Sequence, residues 1–428
     1  MSEALVLLSM FVMIAIGLPI AVSILASALV GVWLLNGQLG FLNAALALYD
    51  GATSFPLIAI PLFILAGALM NTGGISVRLI AFVSALVGFV RGGLAMVNVG
   101  VSLFFAEISG SAVADVAATG SVLIPAMKRK GYSARFAAAL TSSTASLAII
   151  IPPSIPMILY GALSGTSIVQ LFVAGIVPGL IGAGLLMAMC YWFARRYDLP
   201  REEGFSLSRL WTATREAAWA LLLPVIILGG IFGGLVTATE GAGLAVVAAL
   251  LIGLLVYREL DLRKLHGALV DGVLQTATVM LLVATSAVLG LYLTETRMPQ
   301  TLAAGITGIT ENPFLVLMII NVFLLFVGMV LHGAAAIILT VPIFMPLVTQ
   351  LGIDPVHFGI LLTLNIALGQ QTPPVASVLV TACSIAKTDV WETTKTNLPF
   401  IGVLVAVLLL VTYVPAVPLW LVEVFYGG

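Results

Sequence analysis

The chain has 428 residues, of which 61% are hydrophobic and only 8% charged, and its mean hydropathy is +1.21. A soluble domain carries about 25% charged residues, so this chain cannot cover a water-facing surface, and a set of soluble domains is excluded. Seventeen Lys+Arg against eighteen Asp+Glu leave a net charge of -1, with no basic excess to attract nucleic acid.

The N-terminus, Met1-Ser2-Glu3, lacks the positive stretch of a signal peptide, and no clear cleavage site follows in the apolar run to Leu35, so this segment is expected to be retained. A membrane span needs about 20 apolar residues. Residues 4–35 are predicted to cross as two helices meeting at Gly17-Leu18-Pro19, and residues 55–71 as a further span. The stretch 75–90, flanked by Arg78 and Arg91, is predicted to lie along the interface. Next come two apolar runs of about fifteen residues, 94–105 and 113–127, separated by Glu107-Ile108-Ser109-Gly110-Ser111. Each is too short to cross, and Arg91 and Lys128 place both ends of 91–128 on one face, which predicts a re-entrant hairpin with its tip near mid-membrane. Irregular backbone is tolerated there only when protein or a water-filled cavity surrounds it. Residues 134–164 cross back as a helix broken at Pro152-Pro153, and 168–194 return. Cys190 and Cys383 stand alone, so neither a disulfide framework nor structural zinc is expected.

A polar connection at 201–216 separates residues 1–200 from 217–428, and the cluster Arg195, Arg196, Arg201, Arg209 and Arg215 around it is expected to be cytoplasmic. In the second part, 312–348 is predicted to form a matching hairpin, with arms 313–330 and 334–348 and its tip at Leu331-His332-Gly333. The stretch 357–386 is the matching broken helix, interrupted at Pro373-Pro374, and 397–422 is a final span. His266 and His357 fall in predicted loops.

The correspondence is more than thematic. Of the nine prolines up to Pro200, four land on another proline after a shift of 221 positions: Pro125 on Pro346, Pro152 on Pro373, Pro153 on Pro374 and Pro178 on Pro399. Chance would give roughly half a match at proline's usual ~5% frequency. A duplicated unit is the better account. Its two copies differ in charge: Lys128, Arg129, Lys130 and Arg135 line one loop, while the equivalent loop 349–356 has no positive charge. The reverse holds earlier, where 37–47 is uncharged and its equivalent 258–268 contains Arg258, Arg263 and Lys264. Because Lys and Arg collect on the cytoplasmic side of short loops, the halves are read as inverted. The predicted fold class is an all-α polytopic membrane protein, an inverted repeat with two re-entrant helical hairpins and two Pro-broken helices.

The breaks are where chemistry is expected. A Pro-Pro pair frees backbone carbonyls in the preceding turn. Near Pro152-Pro153 these join Thr141, Ser142, Ser143, Thr144 and Ser146; near Pro373-Pro374 they join Asn365, Gln370, Gln371 and Thr372. Neutral oxygens without a carboxylate cage suit Na+ or a hydrogen-bonded organic anion better than Zn2+ or Mg2+. Each break, taken alone, also reads as an ordinary proline kink; two at equivalent positions in inverted halves, each after a hairpin, favour a site. Glu107 and Asp115 flank the first tip and are functional candidates as intramembrane acids, or groups that bond the hairpin backbone or line the access route. His332 reads as a hydrogen-bond donor to the second tip in preference to a proton carrier. Glu240 and Glu295 are placed near span ends.

Several of these segments resemble one family. The runs Ser109-Gly110-Ser111-Ala112-Val113-Ala114-Asp115, Ile124-Pro125-Ala126-Met127 and Ile151-Pro152-Pro153-Ser154-Ile155-Pro156 are similar to the large membrane subunit of tripartite ATP-independent periplasmic (TRAP) transporters, the DctM type. Phe55 to Pro61, Gly352 to Gly359 and Thr372-Pro373-Pro374-Val375 fit the same pattern, and the resemblance covers essentially the whole chain. It implies an elevator-type, Na+-driven importer of organic acids such as C4-dicarboxylates or sugar acids, multi-pass in a bacterial inner membrane, and not an enzyme. It further implies two partners on separate chains, a small four-helix membrane subunit (DctQ type) and a periplasmic substrate-binding protein (DctP type). No organic cofactor is implied. Family Na+ sites carry over onto Ser109, Gly110, Ser111, Ser143 and Thr144, and onto Gly333, Asn365, Gln371 and Thr372. The candidate substrate contacts are Ser109, Ser111, Asp115, Ser154, His332, Gln370 and Gln371. The sequence departs from the family pattern at His332, where many relatives have an acid, and at Ala367 and Gln370-Gln371. A stand-alone Na+/carboxylate symporter of similar architecture is the alternative. An intramembrane enzyme or proton-pumping subunit would need a catalytic dyad, metal ligands or mid-span Lys/Glu relays, whereas nearly every Lys and Arg here lies in a predicted loop.

Overall fold

The computed structural model describes residues 2–199, 204–310 and 312–427, with the side chains of 2–4, 106–109 and 307 left aside. Among these residues the ordered elements are helical throughout. The first half contains α1 (Ser2–Ala15), α2 (Ile20–Asn36), α3 (Gly40–Thr53), α4 (Ala59–Thr72), α5 (Ile75–Val87), α6 (Gly93–Ser109), α7 (Ala112–Arg129), α8 (Ala134–Ala145), α9 (Ile155–Ser164) and α10 (Ile168–Arg196). The second contains α11 (Leu207–Phe232), α12 (Ala238–Leu251), α13 (Leu262–Glu295), α14 (Met298–Thr307), α15 (Pro313–Val330), α16 (Gly333–Gln350), α17 (Pro355–Gly369), α18 (Ser377–Ala386), α19 (Val390–Tyr413) and α20 (Ala416–Tyr426). Nine helical stretches among the described residues are long and apolar enough to span a membrane.

The 221-residue register runs through the architecture. Shifted by that amount, α7 (Ala112–Arg129) falls on α16 (Gly333–Gln350) end for end, and α6 falls on α15 within a residue. Both Pro152–Pro153 and Pro373–Pro374 are cis. The inversion is visible in which ends touch. Lys128 Nζ, after the first hairpin, donates to Ala386 O at 2.9 Å, and Arg135 at the start of α8 pairs with Glu392 of α19 at 3.1 Å. On the opposite face Tyr160 Oη, near the end of α9, donates to Pro355 O at the start of α17, 2.6 Å away. The two broken helices therefore run antiparallel. Where they cross, Ser146 Oγ donates to Ala367 O at 3.3 Å, and these two residues are themselves 221 positions apart. Equivalent positions can touch only near a two-fold axis.

Local chemistry sets the element ends. Ser133, Ser154, Asp354 and Asp389 cap α8, α9, α17 and α19 through side-chain oxygens. Thr237 and Glu240 form a capping box at α12. Helices α2, α3 and α4 pack against α12 and α13, while the two hairpins and broken helices pack with α10 and α19. Helices α5 and α14 connect these two groups.

Several expectations shift. The first tip is shorter than the predicted Glu107–Ser111, because α6 continues through Ser109. Helix α11 begins at Leu207, inside the stretch read as a connection, while 201–203 lie outside the described residues. The predicted last span divides into α19 and α20 around Val414-Pro415, where proline cannot supply an N–H. His357 is not a loop residue: it is buried in the first turn of α17, with a ring nitrogen 2.8 Å from Val411 O. His266 lies in α13.

Candidate functional site

Each break begins with what proline cannot do. Without N–H groups, Pro152 and Pro153 leave carbonyls of the preceding turn without helical partners, and α8 passes through the 3-10 turn Ser146–Ile149 before it stops. Part of this deficit is refilled locally. Ser154 Oγ donates to Ile149 O at 2.6 Å and accepts from Met157 N at 3.4 Å, so one hydroxyl closes the first arm and caps the second. At the other break Thr372 N donates to Gly369 O and Val378 N to Gln370 O, at 2.9 and 3.1 Å. The expectation of open carbonyls is corrected to this extent: Ile149, Gly369 and Gln370 each hold a donor already.

The hairpin tips rest on the breaks. Gly110 has φ +56°, and a Cβ there would sit 3.0 Å from Ile155 N and 3.1 Å from Pro153 O, so only glycine fits both the backbone turn and the contact. In the second half Val375 N donates to Met329 O at 3.2 Å, tying the break to the arm that leads to the tip.

Between the breaks lies a buried polar cluster organised by Gln371. Its Oε1 accepts from Ser142 Oγ at 3.3 Å and Asn397 Nδ2 at 3.0 Å, its Nε2 donates to Ser146 Oγ, and the single proton of Ser143 Oγ is shared between Gln371 Oε1 at 2.9 Å and Asn397 Oδ1 at 2.7 Å. One side chain thus joins α8, the 3-10 turn, the second break and α19, across the repeat axis. Two separate chains of hydrogen bonds accompany it, one in each half. In the first half Asn98 Nδ2 donates to Thr141 Oγ1 at 2.7 Å, Thr144 Oγ1 to Asn98 Oδ1 at 2.8 Å, and Ser102 Oγ to Thr144 Oγ1 at 3.1 Å. In the second half Asn321 Nδ2 donates to Thr412 Oγ1 at 2.9 Å and Asn365 Nδ2 to Asn321 Oδ1 at 2.7 Å. Thr144 and Asn365 occupy equivalent positions in the repeat. Each chain ends near an acceptor left over: Asp115, with both carboxylate oxygens unpartnered and buried, and Asn365, with Oδ1 unpartnered and buried. Buried acceptors without donors are costly, and oxygen acceptors alone are what a cation requires.

A cavity of about 550 Å3 lies beside the tips. Gly110, Ser111 and the first turns of α7 border it on one side, His332, Gly333 and Gln370 on another, and Asn71 of α4 with Gln275 and Thr278 of α13 close the far wall. Among the described residues, no Lys, Arg, Asp or Glu lines it. Helices α7 and α16 both start at this cavity without a side-chain cap hydrogen bond, so first-turn N–H groups border it. The first hairpin lines the cavity from Gly110 to Ala118, the second only at its tip. Along α9 the lining reaches Leu159, next to Tyr160 of the opposite face, so the cavity extends to both sides of the tips.

The sequence candidates divide accordingly. Ser111, His332 and Gln370 line the cavity together with Gly110 and Gly333. Ser143, Thr144, Asn365 and Gln371 lie behind it in the polar clusters, and Thr372 Oγ1 donates to Leu368 O of its own helix at 3.0 Å. Ser154 lies off the cavity, its hydroxyl used by the backbone. Asp115 is also off the cavity and buried. The side chains of Ser109 and Glu107 lie outside those described. Sequence reading missed Asn98, Ser102, Asn321, Asn397 and Thr412; an amide or hydroxyl within an otherwise apolar helix was the available signal. It also missed Asn71, Gln275 and Thr278.

The family called tripartite ATP-independent periplasmic transporter, DctM component, matches residues 7–417. The chain belongs to this family. It is 39% identical to the C4-dicarboxylate TRAP transporter large permease protein DctM of Pseudomonas aeruginosa, over 88% of each chain. It is 40% identical to the isethionate TRAP transporter permease protein DctMQ of Oleidesulfovibrio alaskensis, over 95% of this chain but only 64% of that longer relative. Its fold is shared with the YdaH transporter of Alcanivorax borkumensis, with a TM-score of 0.62 over 95% of this chain and 97% of that one at 17% identity. As a DctM-family chain it is a multi-pass membrane protein, and its hairpins and breaks enclose the cavity together with α4 and α13.

Proposed function

We propose that this chain is the large transmembrane subunit of a Na+-coupled importer of organic acid anions, working by an elevator movement in a bacterial inner membrane. The observation that carries the reading is the cavity walled by both hairpin tips, with the uncapped starts of α7 and α16 bordering it. Helix N-termini favour anions through their free N–H groups and their dipole. Ser111, His332 and Gln370 would add donors to the carboxylate or sulfonate. The named substrates of the two relatives, a C4-dicarboxylate and isethionate, are both small organic acids.

Na+ fits the oxygens behind the tips. In the second half Asn365 Oδ1 has no donor and would hold the ion with Gly333 and Thr372. In the first half Ser109, Gly110, Ser111, Ser143 and Thr144 would do so. Gln371, whose oxygen already accepts from Ser142 and Asn397, organises the cluster more than it offers a ligand. The bound ion would offset the charge of the anion and lower the electrostatic cost of carrying it across the bilayer. The hairpins and broken helices form the moving body, and α5 and α14 are its arms on the static helices α2–α4 and α11–α13.

Family membership supports two partners, a small DctQ-type membrane subunit and a DctP-type periplasmic binding protein that delivers the substrate. The complete assembly in vesicles is expected to accumulate organic acid only with an inward Na+ gradient and the binding protein present. Undiminished accumulation by this chain alone would favour the stand-alone Na+/carboxylate symporter instead.

A further inference from the structure

The wall that faces the hairpin tips has no role in the cycle proposed above. Helix α13 lines the cavity with Gln275, Thr278 and Val279, which the helical repeat places on one stripe. On its other sides α13 exposes Val273, Leu274 and Leu281, apolar as a lipid-facing surface requires. Polar side chains on the stripe that meets the cavity therefore call for a polar occupant.

The two polar groups offer different things. Thr278 Oγ1 donates its one proton to Leu274 O at 2.9 Å, so it presents only lone pairs to the cavity. Gln275 is exposed at the cavity and its amide makes no hydrogen bond with another described residue, so Nε2 keeps both protons to donate. An acceptor and a donor on adjacent turns, about 5–6 Å apart at Cβ, suit one group that both donates and accepts. A hydroxyl does so: its proton goes to Thr278 Oγ1 and its oxygen accepts from Gln275 Nε2.

A second carboxylate fits this place poorly. It has no proton to give Thr278, and it would meet a like charge in Asp271, exposed one turn before Gln275 on the same helix. Among the described residues no Lys or Arg lines the cavity to offset it. The two helix starts that favour an anion, those of α7 and α16, both lie on the side of the tips. We propose that Gln275 and Thr278 form a specificity subsite for a hydroxyl group of a cargo whose acid group is held at the tips. The cargo class is then hydroxy acids in preference to dicarboxylates. This rests on the organic-anion reading above and narrows it.

The test uses the complete membrane assembly, purified in Na+ medium, and acids of equal chain length that differ only at the far end. One set is γ-hydroxybutyrate, butyrate and succinate; a shorter set is built on β-hydroxypropionate and a longer one on ω-hydroxyhexanoate. Binding is read from the rise in melting temperature with acid concentration. In the set whose length fits, the hydroxy acid is expected to bind about tenfold more tightly than its two partners, the scale of two net hydrogen bonds. Gln275→Leu and Thr278→Val should each erase that preference by weakening the hydroxy acid alone, whereas Gln370→Leu at the tips should weaken every member alike. Both wall side chains are exposed, so neither change disturbs packing. Equal binding of the three acids by wild type, a preference for the dicarboxylate, or a preference that survives in both wall variants would overturn the subsite and leave the importer reading standing. Wild type that binds no acid of any set would instead overturn the organic-anion reading itself, and this subsite with it.

Discussion

Gln371→Leu is expected to cost about 2–4 kcal/mol of stability and to reduce uptake below about a tenth of wild type. The leucine fills a similar volume but strands Asn397 Nδ2 and Ser142 Oγ, two buried donors that reach no other described acceptor. An unsatisfied buried donor costs about 1–3 kcal/mol, and the loss is larger in a network whose members orient one another. The functional loss follows from position, since this amide links the two broken helices across the repeat axis. Gln370→Leu is the internal comparison. Among the described residues its Nε2 reaches only Ile366 O, one turn earlier, at 3.4 Å, and its side chain borders the cavity. That change should weaken apparent substrate affinity with little effect on melting. The two variants are measured side by side by thermal melting and by uptake against substrate concentration. Equal behaviour in both assays would sink the distinction between a residue that joins the halves and one that meets the cargo.

The second large effect concerns a close backbone approach beside the site. A Cβ added to Gly369 would lie 2.5 Å from the Cα and carbonyl carbon of Gly328, where α17 crosses α15. Neither atom can rotate away, so Gly369→Ala must part the two helices. Overpacking of this kind costs about 1–3 kcal/mol, and parting α15 from α17 would displace the tip at His332 and Gly333. Ordinarily Gly→Ala within a helix stabilises by about 0.5–1 kcal/mol. Gly402 of α19 provides that control, because nothing lies within 4 Å of a Cβ placed there. Opposite signs are expected: a lower melting temperature and lost uptake for Gly369→Ala, and an equal or higher melting temperature with retained uptake for Gly402→Ala. A neutral Gly369→Ala would mean that hairpin and break are not held in contact.

What the sequence revealed, it revealed through residues whose physics is local. Pro152-Pro153 and Pro373-Pro374 interrupt a helix wherever they occur, because the missing N–H is a property of proline itself. Lys128, Arg129, Lys130 and Arg135 mark a face because burying them in lipid is costly. From these came the hairpins, the breaks and the inversion, which the contacts of Lys128 with Ala386 and of Tyr160 with Pro355 bear out. The candidate site was legible only in outline. Asn98, Ser102, Asn321 and Asn397 are isolated polar residues in apolar helices, and nothing adjacent in sequence indicates that Asn321 will meet Asn365 or Asn397 meet Gln371. Pairings of that kind depend on helix rotation and tertiary packing, which a one-dimensional pattern does not encode. His357 misled for the same reason: a position just after Asp354-Pro355 looks like a loop until α19 packs over it. Ser154 illustrates a different ambiguity, since a serine that caps a helix and one that meets a ligand share the same neighbours in sequence.

Ion and anion are expected to cross together. The most direct measurement is simultaneous entry of 22Na+ and a labelled organic acid into vesicles that contain the complete assembly and the loaded binding protein. The predicted result is that both enter in a fixed ratio, that neither enters appreciably alone, and that Gln371→Leu reduces both in parallel. Accumulation of the acid without 22Na+ entry, or at a rate unchanged when K+ replaces Na+, would contradict it.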